Sequence, residues 1–196
     1  MVSLLNSRIE RISKIEANLG MHYSKIDPMS IVDGEGCRVT LFVSGCRNHC
    51  KGCFNEATWD FKYGQPFTDI EVNEIIEACK PSYISGLTIL GGEPAEPESQ
   101  PELLKLIDRF RSEIPHKTIW MFTGYILERD LLPGQRKHIP VITDRILDSI
   151  DVLVDGPFIL EQRDLTLQFR GSRNQRILRR DDIQKLRSIG FSPKSP

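Results

Sequence analysis

The chain has 196 residues, 39% hydrophobic and 27% charged, a globular balance that suits one domain with its own core. Its 26 lysines and arginines against 27 aspartates and glutamates give a formal net charge of −1, so no global basic field exists to hold nucleic acid. No apolar run reaches membrane-spanning length and no secretory signal is present at the N-terminus, so a cytoplasmic location is expected, with neither membrane nor nucleic acid as partner.

Residues 1–20 read as a separate amphipathic extension. Leu5, Ile9, Ile12 and Leu19 recur at helical spacing, and Gly20 suits a helix stop. Both charge signs and few aromatics favour a packed surface helix over a membrane anchor. Residues 38–44 (RVTLFVS) are β-branched and apolar, as in a buried strand. A helix is predicted over residues 68–79, where Thr68 and Glu71 make a capping-box pattern and Val72, Ile75, Ile76 and Cys79 share one face. Residues 87–90 form a second strand that ends at Gly91-Gly92. Ser99 is set to cap a helix with Pro101 in its first turn and Leu103, Leu104, Ile107, Phe110 and Ile114 on its stripe. Residues 118–122 read as a third strand, residues 144–150 as a helix capped by Thr143, and residues 152–154 as a fourth strand. Arg170, Arg173, Arg176, Arg179 and Arg180 follow in a basic stretch, of which Arg179 and Arg180 read as solvated surface. Residues 181–196 read as a C-terminal tail, frayed over 191–196.

Strands alternating with helices imply a parallel sheet with right-handed crossovers, as an open doubly wound sheet or a partial barrel. The expectation is an α/β fold of alternating βα units, a partial (incomplete) TIM-like barrel over residues 21–180, with the helical extension before it. In such folds functional residues gather at the C-terminal ends of the strands. Four unusual segments fall there: the cysteine loop, Gly91-Gly92-Glu93-Pro94, Thr123-Gly124-Tyr125 and Asp155-Gly156-Pro157. Their recurrence at one edge predicts a shared site.

The cysteine loop packs Cys46, Cys50 and Cys53 into eight residues. In a reducing compartment such a cluster points to metal binding or catalysis. Three thiolates reach three corners of one iron–sulfur cubane and leave one iron open for a chelating ligand, such as the amino and carboxylate groups of S-adenosylmethionine. Structural zinc is the alternative. It needs a fourth ligand, either His49, awkwardly placed between two cysteines, or Cys37, at the far end of the strand. Cys79, on an apolar helix stripe, reads as core.

The three-then-two cysteine spacing resembles that of radical S-adenosylmethionine enzymes. Within them the chain is most similar to the family of activating enzymes of anaerobic ribonucleoside-triphosphate reductase. That likeness runs in order through Ile31-Val-Asp-Gly-Glu-Gly36, Leu41-Phe-Val-Ser-Gly-Cys46, Gly52-Cys53-Phe54-Asn55, Thr58-Trp59, Gly64-Gln65-Pro66-Phe67, Gly91-Gly92-Glu93-Pro94, Thr123-Gly124-Tyr125, Val154-Asp155-Gly156 and Arg170-Gly171-Ser172.

The resemblance implies a 4Fe-4S cluster held by Cys46, Cys50 and Cys53, and a 5′-deoxyadenosyl radical that takes hydrogen from a glycine of the reductase. It also implies a low-potential donor such as flavodoxin or ferredoxin, and no catalytic side chain beyond cluster and cofactor. Gly91 and Gly92 allow close backbone approach to the cofactor, with Glu93 as an acceptor for its ammonium group. Thr123 and Tyr125 either face the ribose or adenine or form a plain strand-end turn, and Asp155 is a hydrogen-bonder or a turn residue. Gly52 stands where many radical enzymes carry an aromatic beside the adenine, and Phe54 stands where related activases carry tyrosine. Gly52, Cys53 and Phe54 are therefore counted with the cofactor contacts. Arg170 and Arg173 border the opening to the partner or form structural ion pairs. Residues 1–20 precede the resemblance, as an extra helix or because the start is Met21. Two other functions stay open: a radical enzyme acting on a small molecule, and a zinc-stabilised binding module without catalysis.

Overall fold

A computed structural model describes residues 20–190. The amphipathic reading of residues 1–20, apart from Gly20, and the frayed end at 191–196 lie outside the described residues. The strands are β1 (His22–Ser30), β2 (Cys37–Val43), β3 (Gln65–Pro66), β4 (Ile84–Gly91), β5 (Thr118–Phe122), β6 (Val152–Asp155) and β7 (Arg176–Arg179). The helices are α1 (Asp69–Cys79), α2 (Gln100–Glu113), α3 (Ile142–Ser149) and α4 (Arg180–Gly190). One mixed sheet runs in the order β3-β1-β2-β4-β5-β6-β7. β2, β4, β5 and β6 are parallel, and β1 and β7 flank them antiparallel. The edge strands β3 and β7 do not pair with each other, so the α/β sheet stays open as a partial barrel.

Alternation along the strands divides the two faces. Val39, Leu41, Leu87, Ile89, Ile119, Met121 and Leu153 join helix residues such as Ile75, Ile107, Phe110 and Ile146 in the main core. Each fully buried aliphatic side chain there contributes about 1.5–3 kcal/mol relative to exposure. The opposite face carries Trp120, Val152 and Val154, with Phe122, Phe169 and Ile177 packed against them. Arg38 is also on that face, fully buried, with its guanidinium 5.5 Å from the Trp120 ring centroid.

The capping box of α1 is formed: Ile70 N–H donates to Thr68 Oγ1 (3.2 Å) and Thr68 N–H to Glu71 Oε2 (2.7 Å). Ser99 occupies the N-cap of α2 without a side-chain capping bond, so Pro101 and the buried stripe start that helix. Thr143 lies inside α3, where its hydroxyl accepts from Ile139 N–H (2.7 Å) and donates to Gln100 Oε1 (2.6 Å), tying α3 to α2.

Residues 181–190, read as tail, are helical. Ile183 is buried in the core, and Arg180 and Arg187 pair with Asp151 and Asp148. The basic stretch hides β7, whose Leu178 enters the core. Arg179 is exposed as expected and reaches Glu35, whereas Arg180 donates to Asp151 Oδ1 at 2.8 Å.

Because α1, α2 and α3 return antiparallel to the parallel strands, their C-termini meet the sheet's lower edge, where those strands begin. Cations suit that edge. Lys117, nearly buried, donates to the carbonyls of Cys79 and Pro81 at 2.6 Å each. Arg111 donates to the Ser149 carbonyl through Nε at 2.8 Å. Arg38 gives its N–H groups to Thr88 Oγ1, Thr118 Oγ1 and the carbonyls of Glu35, Leu87 and Thr118.

Candidate metal centre

The cysteine loop leaves the C-terminal end of β2 and is held on two sides. Gly45 N–H donates to the Thr58 carbonyl (2.8 Å) and Cys46 N–H to the Trp59 carbonyl (3.2 Å). From the other side Glu93 N–H donates to the Gly45 carbonyl at 2.8 Å. Cys46 is buried, Cys50 and Cys53 are half-buried, and all three thiols are free. Burial pushes the Cys46 thiol up to about 11 and also raises Cys50, so without a cation both are protonated at neutral pH. Backbone amides already face the sulfurs: those of Asn48 and His49 at Cys46, that of Phe158 at Cys50, and Asn55 N–H at 3.4 Å from Cys53 Sγ. These donors favour thiolates once a metal displaces the protons.

The zinc alternative asks for His49 or Cys37. His49 adopts a left-handed φ of 46° and stacks on Trp59 with ring centroids 4.5 Å apart. Cys37 opens β2 at the opposite edge. Among the described residues no group of three or more His, Cys, Asp or Glu side chains is placed to hold a single metal ion.

The next loop supplies two carboxylates, both fully buried. Glu93 Oε1 accepts from Thr123 Oγ1 (2.6 Å) and Ala95 N–H (3.0 Å), and its Oε2 from Gly124 N–H (2.7 Å) and Asn48 Nδ2 (2.9 Å). All these donors are neutral, and burial pushes the carboxyl up to about 7. Glu96 Oε1 accepts from the Tyr125 hydroxyl (2.6 Å) and Arg47 N–H (3.1 Å), and its Oε2 from Lys137 Nζ (2.6 Å) and an Arg47 guanidinium nitrogen (2.7 Å). Burial alone would raise this group too, but the bonds from Lys137, Tyr125 and Arg47 outweigh it and hold the carboxyl below its usual range.

The structure thus brings Cys46, Cys50, Cys53, Gly91, Gly92, Glu93 and Thr123 to one edge, as the sequence predicts, yet gives several of them different partners. Thr123 and Tyr125 are buried and spend their hydroxyls on Glu93 and Glu96. Glu93 has both oxygens filled by protein donors. A Cβ on Gly91, at φ 114°, would lie 2.6 Å from Val43 N and O, and one on Gly92 would lie 2.7 Å from the Gly45 carbonyl oxygen. Both glycines therefore admit the neighbouring chain and the cysteine loop itself. Gly52 sits at φ 72° against Leu160, and Phe54 is 86% exposed at the rim. Asp155, fully buried, accepts from Leu127 N–H (2.9 Å) and from Arg176, which also pairs with Glu128. Arg173 pairs with Asp164 at 3.0 Å, while Arg170 gives one nitrogen to the Gln175 carbonyl and keeps a buried Nε without a partner.

Ser44 Oγ, directly before Gly45-Cys46, is likewise buried and unpartnered, as are Thr40 Oγ1 and Asn174 Oδ1. Free thiols facing amide donors fit an iron–sulfur group. Arg47, Asn48, Glu96 and Lys137 were not singled out from the sequence. Only the spacing of Glu93 and Glu96 in one turn could have drawn attention to Glu96.

An α/β sheet with a three-thiol loop over its C-terminal edge defines a cluster-binding class of protein, and the description "4Fe-4S single cluster domain" belongs to the family model that matches residues 32–178. The chain is 42% identical over 157 residues to an anaerobic ribonucleoside-triphosphate reductase-activating protein of Escherichia coli K12, covering 79% of this chain and 96% of that protein. It is 44% identical over 161 residues to the protein of the same name from Haemophilus influenzae, covering 81% and 98%. To that of enterobacteria phage T4 it is 38% identical over 159 residues, covering 80% and 93%. The chain belongs to the family of anaerobic ribonucleoside-triphosphate reductase-activating proteins.

Proposed function

We propose that this protein activates an anaerobic ribonucleoside-triphosphate reductase by radical S-adenosylmethionine chemistry, with Cys46, Cys50 and Cys53 as ligands of a 4Fe-4S cluster. The observation that carries the reading is the loop of three free thiols, each faced by a backbone amide, at the edge where Glu93 and Glu96 fix its position. Cys46, Cys50 and Cys53 would hold the cluster, which would supply the one electron needed to cleave S-adenosylmethionine to methionine and a 5′-deoxyadenosyl radical able to take hydrogen from a partner glycine.

The chain's own residues hold and shield this chemistry. Cys46, Cys50 and Cys53 supply three thiolates and leave one iron for the cofactor's amino and carboxylate groups. Gly91, Gly92 and Glu93 set the backbone beside the loop, Thr123 and Tyr125 brace those carboxylates, and Gly52 and Phe54 offer a rim for the adenine. The electron comes from a low-potential donor of the flavodoxin or ferredoxin class, and the reaction belongs in the cytoplasm. No helix among the described residues is long and apolar enough to cross a membrane.

The test mixes reduced protein, S-adenosylmethionine and the reductase without oxygen and records the electron paramagnetic resonance spectrum. A glycine-centred doublet, with 5′-deoxyadenosine formed in equal amount, is expected. Cofactor cleavage without any glycyl radical, accompanied by turnover of a small metabolite, would contradict the partner assignment.

A further inference from the structure

The turn after β4 places two buried carboxylates three residues apart, and each reaches a different residue of the segment between Cys46 and Cys50. Glu93 holds Asn48 through its side chain. Glu96 holds Arg47 twice, by the backbone N–H at 3.1 Å and by the guanidinium at 2.7 Å. The same carboxylate takes the Tyr125 hydroxyl from the loop after β5 and the Lys137 ammonium from the loop before α3, both at 2.6 Å. Four donors fill both oxygens.

Arg47 carries the contact further. Its fork also engages Glu98, at 2.5 Å and 3.0 Å, and its guanidinium lies 4.3 Å from the Phe61 ring centroid. Phe61 in turn abuts Gly45, where a Cβ would come within 2.4 Å of the ring. Cys46 therefore sits between a residue backed by Phe61 and a residue clamped by Glu96.

We infer that Glu96 is a positioning residue for the cysteine loop. It locks Arg47 to two other loops of the same edge and so sets the direction of Cys46 before any group is bound. The inference rests on the proposed function, because it takes Cys46 and Cys50 as cluster ligands. Its physical basis is the burial of the carboxylate and of Lys137, which makes the charge-assisted bonds strong and directional, while Arg47, half-exposed, closes the clamp from outside. Outer partners of metal ligands set ligand geometry in this way.

Two variants test it. In Glu96→Gln one carboxylate oxygen becomes a donor, so two of the four partners lose their acceptor. Arg47→Met removes the side-chain half of the clamp and leaves Glu96 with Lys137, Tyr125 and the residue-47 backbone N–H, so the buried pair survives. Lys117→Met, a nearly buried cation at the opposite edge, serves as the comparison. The first readout is amide hydrogen exchange across residues 46–50 in metal-free protein. The second is the rate at which a chelator strips iron from the anaerobically reconstituted protein. Both clamp variants should accelerate exchange in the loop and speed iron release by about tenfold to a hundredfold, with Glu96→Gln the larger, while Lys117→Met changes neither. Unchanged exchange in the folded Glu96→Gln and Arg47→Met proteins would overturn the inference. So would equal acceleration in Lys117→Met, which would make the effect one of global stability. If the wild-type protein takes up no cluster, the proposed function fails and loop exchange alone decides for or against the clamp.

Discussion

The two edges of the parallel strands are built on opposite electrostatic plans. At the lower edge Arg38, Lys117 and Arg111 give their protons to carbonyls and hydroxyls, including those at the C-termini of α1 and α3. At the upper edge the carboxylates Glu93, Glu96 and Asp155 are fully buried and accept from loop amides, hydroxyls and cations, the buried Lys137 among them. Helix direction contributes at the lower edge, where the carbonyl ends of α1 and α3 draw cations. The edges also differ in completeness. All five guanidinium donors of Arg38 have acceptors and the free thiol of Cys37 stands apart, whereas the upper edge gathers three free thiols and the unpartnered Ser44 Oγ, Arg170 Nε and Asn174 Oδ1. The lower edge is stapled by cations on carbonyls, and the upper one gathers thiols and carboxylates.

The sharpest way to break that contrast is to remove thiols. Cys46→Ala, Cys50→Ala or Cys53→Ala should each abolish cluster-dependent cleavage of S-adenosylmethionine, while Cys37→Ala at the lower edge and Cys79→Ala in the core should keep iron. Iron analysis after anaerobic reconstitution reads this directly, and loss of all iron in Cys37→Ala would reverse the ligand assignment.

The next effect is on pH dependence. Burial raises the Glu93 carboxyl from 4.5 to about 7 in the folded chain. The folded state then binds a proton that the unfolded state has released, so stability falls as pH rises from about 4.5 through about 7, by about 3 kcal/mol in all. Glu96 has the opposite sign. Its lowered pKa contributes stability above the unfolded value, lost as pH falls through the folded one. Urea unfolding of metal-free protein at about pH 5.5 and about pH 8 should show the Glu93 term, and Glu93→Gln should flatten it.

Gly92→Val comes third. A cofactor role alone predicts weaker S-adenosylmethionine binding with the cluster untouched. The structure predicts more, because the added Cβ would meet the Gly45 and Thr58 carbonyl oxygens at 2.7 and 2.9 Å. The variant should lose about 1–3 kcal/mol and release iron faster. The smallest effect is expected from Lys117→Met, which leaves the carbonyls of Cys79 and Pro81 without their donor. It should lose about 1–2 kcal/mol of stability with iron content unchanged.

Much of this frame was legible in the sequence because it rests on local pattern. The β-branched runs mark the four parallel strands, Thr68 and Glu71 mark the start of α1, and the cysteine spacing marks the loop. Elements whose apolar content is sparse escaped. β1 alternates half-buried and polar residues with register shifts near Tyr23 and Asp27, and β7 carries one core residue, Leu178, among arginines. α4 buries Ile183 among charges that read as tail. At the site, the positions were legible but not their partners. Tyr125 and Glu96, or Asn48 and Glu93, meet across 29 and 45 residues of chain, and only the fold brings them together.

The proposed cluster at the upper edge has one iron open to S-adenosylmethionine. The most direct test is the electron paramagnetic resonance spectrum of the reduced, anaerobically reconstituted protein, recorded with and without S-adenosylmethionine and paired with iron and sulfide analysis. About four irons and four sulfides per chain are expected, with a signal that shifts when the cofactor is added. A protein that holds zinc without sulfide, or a cluster whose spectrum ignores the cofactor, would contradict it.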